Sequence, residues 1–422
     1  MKRLFYTVIL YLLIPFVLLK LLKRGMNNRG YWYRINERFG FYKKIITDKN
    51  AYIWLHAVSV GEVNAAVPIV LKLIENQPDY SILITTMTPT GSARVIDQFD
   101  DKVEHVYLPY DLPDAIQRFL VKFKPKMAVI METELWPNLY HYTDKKKIPI
   151  LISNARISDH SFKGYVKIKG IVSEVLSHVS MIATQSQEDA SRLIKLGAVK
   201  SKVKVVGNIK FDKPISDSLQ TDAIKIKKLL PDNHNVWIAA STHDHEDEKI
   251  LLAFKRVREK CPDTLLIIVP RHPERFDRVY KLCVADGFNV AKRSDNGVCS
   301  AETSVLIGDS MGELMLYYAV SDIAYIGGSL VSHGGQNPLE AAQIKLPVVY
   351  GKYMHNFREI TSLLESNGGS VSVENESQLA EQVINWLKNK KLRQEAGEKN
   401  HQVLMNNKGA LDKTVELIKN LG

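Results

Sequence analysis

Cysteine is scarce. Cys261, Cys283 and Cys299 are the three in 422 residues, and they lie far apart. An odd number at that spacing gives neither an even disulfide framework nor a metal-ligand pattern. Reduced thiols in a cytosolic compartment are the expectation. No internal repeat at solenoid or propeller spacing is present, and no low-complexity tract. There is no G-x-x-x-x-G-K-[ST] loop and no G-x-G-x-x-G turn, so neither a P-loop nor a Rossmann dinucleotide site is supported. Cys/His fingers and aromatic RNP-type strands are also missing, which argues against a nucleic-acid partner.

What remains is an ordinary globular composition, 45% hydrophobic and 24% charged, with a net charge of +11. The length suits two domains with additions. With nucleic acid set aside, the basic balance points to an anionic membrane surface or phosphorylated substrates. Residues 4–19 (LFYTVILYLLIPFVLL) carry no charge. That run is short for a span of about 20 residues, but Lys2, Arg3 and Lys20 can snorkel to extend it. No small-residue cleavage site follows it, which argues against a removed signal peptide. Positive charge is denser on its C-terminal side (Lys20, Lys23, Arg24, Arg29, Arg34, Arg38), which keeps the rest of the chain cytoplasmic. Pro15 would kink a span, so a helix lying in the interface is the other reading.

From residue 50 onward, short apolar runs without strict alternation recur at 52–55, 81–85, 106–108, 127–131, 148–152, 181–184 and 203–206. Such runs read as strands buried on both faces of a parallel sheet. Amphipathic stretches between them, such as 63–73 and 187–196, give a βαβα pattern and a doubly wound α/β domain. A polar, proline-bearing segment at 211–218 reads as a linker. The pattern then restarts at 236–240, 265–269, 305–307, 323–326 and 347–350. The expected organisation is an anchor at 1–24, a first α/β domain at 25–210, a second at 211–405 and a C-terminal helix at 406–422. Ligands are expected in a cleft between such domains.

Ligands of open α/β sheets bind beyond the carboxyl ends of the strands. After the first run, Ser59-Val60-Gly61-Glu62 fits a capping box, in which Glu62 satisfies its own helix start. Glycine at 61 also lets a substrate approach the backbone. After the second, Thr88 and Gly91 lie in a hydroxyl-rich turn that suits an anion or an ordinary N-cap. After the fourth come Glu132 and Glu134, two acids ahead of Trp136-Pro137. They read equally as helix-start acids or as functional groups. In the second domain Ser241-Thr242, Arg271-His272 and the glycines leading to Asn337 and Glu340 each follow a strand. Hydroxyl, cation, glycine-rich turn and acid then share one sheet edge, with Pro338 expected at a first helical position. Together they favour a nucleotide site.

The longer strings are specific. They are WYRINERFG (32–40), SVGE (59–62), TTMTPTG (85–91), METELWPN (131–138), NARIS (154–158), PRHPERF (270–276), GDSMGELML (308–316) and GGSLVSHGGQNPLE (327–340). On these the chain resembles the 3-deoxy-D-manno-oct-2-ulosonic acid (Kdo) transferases over essentially its whole length. Gln336 departs from the pattern, where the family more often has histidine. The resemblance implies a GT-B fold, two Rossmann-like domains facing a central cleft, with an N-terminal membrane-anchor helix. It implies inverting transfer of Kdo from CMP-Kdo to lipid IVA, in lipopolysaccharide synthesis, at the cytoplasmic side of the bacterial inner membrane, with no metal or other cofactor. Glu62 takes the general-base position. Ser241, Thr242, Arg271, His272, Gly308, Met311, Gly312, Asn337 and Glu340 are the implied donor-nucleotide residues. Thr88, Gly91, Glu132, Glu134 and Arg156 are candidates toward the acceptor, and Arg34, Arg38, Arg94, Arg156 and Lys163 are candidates for its phosphates. The alternatives are a membrane-associated GT-B transferase using another nucleotide sugar and a GT-B nucleotide-sugar epimerase.

Overall fold

Apolar runs that lack alternation must be covered on both faces, and that is where they are found. The computed structural model describes residues 2–43, 51–232, 234–295 and 298–421. Met1, residues 44–50 and Gly422, assigned above to the anchor, the first domain and the C-terminal helix, lie outside the described residues. The first sheet consists of β1 (Tyr52–His56), β2 (Ser81–Thr86), β3 (Glu104–Tyr107), β4 (Pro125–Met131), β5 (Ile150–Ala155), β6 (Met181–Thr184) and β7 (Val203–Val205). Its order is β3-β2-β1-β4-β5-β6-β7, and its pairs are parallel. Trp54 and Phe119 lie in the core on one face, and Leu55, Ile69 and Val129 in the core on the other.

The second sheet repeats the plan with β8 (Asn235–Thr242), β9 (Thr264–Pro270), β10 (Val290–Lys292), β11 (Val305–Ile307), β12 (Ile323–Ile326), β13 (Val348–Gly351) and β14 (Ser370–Val373). Its order is β10-β11-β9-β8-β12-β13-β14, again parallel. The sequence pattern did not mark β10 and β14. Both are edge strands of three or four residues, and neither is buried throughout.

By contacts the chain forms two units, 1–213 with 408–422 and 214–407. The C-terminal helix Ala410–Leu421 thus returns to the first unit. Val415 and Ile418 join the core cluster of Val63 and Ile69. Asp212 anchors the return, accepting the N–H groups of Gly409 at 2.6 Å and Leu411 at 2.8 Å.

The N-terminal helix runs Lys2–Asn27 with Pro15 inside it, and is long and apolar enough to cross a membrane. One face rests on the first unit. The Tyr6 hydroxyl donates to Asp111 at 3.0 Å, Thr7 to Asn138 at 3.0 Å and Tyr11 to Asp114 at 2.6 Å. The other face, including Leu4, Phe5, Leu12, Phe16 and Leu19, is exposed.

Candidate active site

The strand order of the first sheet reverses between β1 and β4, the place where doubly wound sheets hold ligands. The loops after β2, β1, β4 and β5 stand side by side there and carry Thr88 with Gly91, Glu62, Glu132 with Glu134, and Arg156. Glu62 is 8% exposed. Its carboxylate accepts the Val58 N–H and the Ser59 hydroxyl, each at 2.8 Å, while the Ser59 oxygen accepts the Glu62 N–H at 3.5 Å. The expected cap is therefore formed. Burial nevertheless dominates its titration and lifts the carboxyl to about 7. The bonds from Val58 and Ser59 oppose that lift, and the charges of Glu134 and Glu132 add to it. One carboxylate thus closes its helix start and holds a proton near neutrality.

The neighbours of Glu62 are rigidly set. Thr88 caps the next helix, accepting the Gly91 N–H at 3.1 Å, and its hydroxyl reaches the Val58 carbonyl at 3.4 Å. Glu132 pairs with Arg156 at 3.1 Å. Glu134 accepts the Trp136 indole N–H at 2.8 Å, and burial raises its carboxyl too. Glu132 and Asn154 adopt left-handed backbone, φ 56° and 54°. Strain of that kind in non-glycine residues is of order 1–3 kcal/mol each and gathers at functional sites. The basic candidates differ sharply. Arg34 pairs with Glu37, Arg94 with Asp97, and Lys163 is exposed. Arg38 is 2% exposed, lies over the Tyr107 ring and donates to the Met87 carbonyl at 3.1 Å. Its Nε and one terminal nitrogen have no protein partner among the described residues.

The second sheet reverses between β8 and β12, and the loops after β11, β9, β8 and β12 are adjacent. They bring together the Gly308–Gly312 turn, Arg271 with His272, Ser241 with Thr242, and the glycine-rich segment ending in Asn337 and Glu340. Arg271, His272 and Met311 are exposed. Gly308 is needed for packing, because a Cβ there would lie 2.9 Å from Val269. Gly312 has φ 83° and open space around it. Thr242 is fully buried and donates to Asp247 at 2.6 Å, so it shapes the turn. Ser241 beside it has φ 57°. Pro338 proves to be the cap of the short helix Leu339–Gln343 rather than its first residue, and Asn337 accepts the Leu339 N–H at 3.1 Å. That helix start therefore offers fewer bare N–H groups than expected.

Three residues outside the sequence-based candidates organise this edge. Glu246 is fully buried and accepts N–H bonds from Gly328 (2.7 Å), Ser329 (3.0 Å), Leu330 (3.0 Å) and His243 (3.1 Å), and the Tyr325 hydroxyl at 2.6 Å. Arg275, within PRHPERF, is buried and ties the Thr242 carbonyl to Asp244 and Asp247. His243 stacks on His333 with ring centres 4.3 Å apart and meets the Gln336 amide at 3.0 Å. Burial first, then His333, His272, Arg275 and Arg271, push its ring down to about 4. It is therefore neutral beside the guanidinium groups of Arg271 and Arg275. The available signals are faint: an acid at a helix start, an arginine within PRHPERF, and a histidine directly after Ser241-Thr242.

Comparison with known proteins follows this division of the chain. Residues 33–213 match the family model "3-Deoxy-D-manno-octulosonic-acid transferase (kdotransferase)", and residues 235–403 match "Glycosyl transferases group 1". The chain is similar to the 3-deoxy-D-manno-octulosonic acid transferase of Haemophilus influenzae, with 43% identity over 99% of this chain and 98% of the relative. It is 32% identical to the Bordetella pertussis protein of the same name, over 85% of each. Among solved structures, UDP-GlcNAc 2-epimerase from Neisseria meningitidis aligns over 87% of this chain and 100% of its own, with a TM-score of 0.57 and 15% identity. That likeness concerns the fold.

Proposed function

The chain belongs to the 3-deoxy-D-manno-octulosonic acid transferase family and is a glycosyltransferase; on that premise we propose that it transfers Kdo from CMP-Kdo to lipid IVA in lipopolysaccharide synthesis. The observation that carries the chemistry is Glu62, a buried carboxyl lifted to about 7 at the reversal point of the first sheet. A base of that strength suits proton abstraction near neutral pH. In the proposed reaction Glu62 takes the proton of the acceptor hydroxyl as its oxygen bonds to Kdo C2. The bond from C2 to the phosphate oxygen breaks, CMP leaves with that electron pair, and the anomeric centre inverts.

In this reading Arg271 and His272 face the CMP phosphate, where fixed positive charge stabilises the departing anion. Gly308, Met311 and Gly312 follow the nucleotide, and Ser241 and Thr242 form the turn beneath it. Asn337 and Glu340 serve its ribose. Thr88, Gly91, Glu132, Glu134 and Arg156 surround the acceptor sugar. The N-terminal helix keeps the enzyme at the inner membrane, with both α/β units on the cytoplasmic side. No metal takes part, so EDTA is expected to leave the rate unchanged.

The test is a transfer assay with full-length protein, CMP-Kdo made in situ and lipid IVA in detergent, read by mass spectrometry of the lipid. A gain of one or more Kdo residues supports the proposal. No gain, with folded protein and donor present, overturns it and directs attention to other nucleotide sugars. Arg271→Ala should raise KM for CMP-Kdo about tenfold, roughly the loss of one charged hydrogen bond, with KM for lipid IVA unchanged. An equal rise in both would remove Arg271 from the donor site.

A further inference from the structure

A cavity of about 300 Å³ lies between the N-terminal helix and the first α/β unit. Leu10, Ile14 and Val17 of the helix form one wall, and Phe39, Leu135 and Trp136 form the other. Its polar lining is already engaged: Asp111 accepts the Tyr6 hydroxyl at 3.0 Å and the N–H groups of Asn138 at 3.0 Å and Leu139 at 2.7 Å. The pocket is half-open and mainly apolar in lining, so a hydrocarbon chain entering it would displace poorly held water. A cavity of about 150 Å³ holds benzene, so this one has room for roughly twelve carbons.

The position of the cavity identifies which hydrocarbon. Its inner wall, Leu135-Trp136, directly follows Glu134, and the Trp136 indole donates to that carboxylate at 2.8 Å. Glu134 is close enough to Glu62 for its charge to add to the lift on that carboxyl. Its outer wall is the helix whose opposite face exposes Leu4, Phe5, Leu12, Phe16 and Leu19, a surface suited to lipid. The cavity thus adjoins a lipid-compatible surface and, through Trp136 and Glu134, lies one residue removed from the neighbourhood of the base. Bulk phospholipid would need the first neighbour only, whereas an acylated acceptor needs both.

We propose that this cavity is an acyl-chain subsite, which takes one fatty chain of the acceptor lipid and so places its sugar hydroxyl at Glu62. The proposal rests on the acceptor reading above. Four hydrogen bonds hold the helix as the cavity's wall: Arg3 to Asn138 at 2.9 Å, and those of Tyr6, Thr7 and Tyr11. The helix is then part of substrate recognition as well as an anchor.

The experiment fills the cavity. Leu10→Trp and Ile14→Trp add bulk on the helix wall and remove no polar group. Full-length wild type and both variants are assayed on lipid IVA and on the same bisphosphorylated disaccharide stripped of acyl chains. Thermal melting checks folding, and Leu10→Met serves as the volume-conserving control. Wild type should prefer the acylated acceptor. The tryptophan variants should raise KM for lipid IVA about tenfold, with KM for CMP-Kdo and for the stripped acceptor unchanged, and Leu10→Met should behave as wild type. Equal changes on both acceptors, or none, overturn the subsite. So does a variant that loses vesicle binding yet keeps the preference, which would assign the cavity to bulk phospholipid. Failure of wild type to modify either acceptor instead sinks the acceptor reading itself.

Discussion

Glu62→Gln is expected to lower kcat about a thousandfold while leaving the protein folded and able to bind CMP. The size follows from general-base catalysis, which contributes about 10²–10⁴-fold. Glutamine is the informative replacement because it is nearly isosteric. Its carbonyl can still accept the Val58 N–H, now made at 2.8 Å, and its amide can donate to Ser59. The helix start is kept and the base is lost. If Glu62 were only a cap, Glu62→Gln would retain activity and Glu62→Ala would cost about 0.5–2 kcal/mol of stability.

The pH dependence gives an independent check. Burial lifts Glu62 from its ordinary 4.5 to about 7. For wild type, kcat/KM should rise with pH through a midpoint near 7 as the carboxylate forms, and that limb should vanish in any residual activity of Glu62→Gln. Stability runs the other way. Between pH 4.5 and 7 the folded state holds a proton that the unfolded state has released, so wild type loses stability as pH rises through that window. The variant cannot titrate there. Its melting temperature relative to wild type should therefore improve from pH 5 to pH 8, and a flat difference would show that the carboxyl is not lifted.

The parts of the molecule legible in the sequence were those that one local rule decides. β4 and β9 contain unbroken apolar runs, Met127–Met131 and Leu265–Val269, because parallel strands are covered on both faces, and the sequence pattern marks both. β10 and β14 sit at sheet edges, where half-exposed residues such as Ala291 and Ser372 carry no such constraint. Ser59-Val60-Gly61-Glu62 announced its cap because a capping box is a four-residue signal. Its carboxyl's lift was not readable, because it depends on burial and on Glu134, which lies on a different loop. The left-handed backbone of Glu132 and Ser241 left no trace in residue type, since neither glutamate nor serine is chosen for positive φ. Arg38 was one of five basic candidates of equal standing in the sequence, and only burial separates it from the rest.

Glu246 shows most clearly why the carboxyl edge of the second sheet is not legible in the sequence, and it carries the second large effect. In the sequence it is an acid at a helix start, the commonest and least informative place for one. In the fold its two oxygens collect five donors from three segments, the β8 turn, β12 and the glycine-rich loop after β12. Glu246→Ala would leave those buried N–H groups without an acceptor, at about 1–3 kcal/mol each where no water enters. We expect a loss of at least about 4 kcal/mol of stability, in the range reserved for broken buried networks, and CMP affinity reduced beyond detection. Glu246→Gln keeps one acceptor oxygen but turns an amide donor toward N–H donors, so it should fall between alanine and wild type. Thermal unfolding and CMP titration calorimetry read both quantities. An alanine variant that melts within about 1 kcal/mol of wild type would show that the loop holds its shape without this carboxylate. One that melts early yet binds CMP normally in the cold would make Glu246 a fold element alone, and the glycine-rich loop would then have to reach its binding shape through Gly328, Gly334 and Gly335, whose positive φ values already bend it.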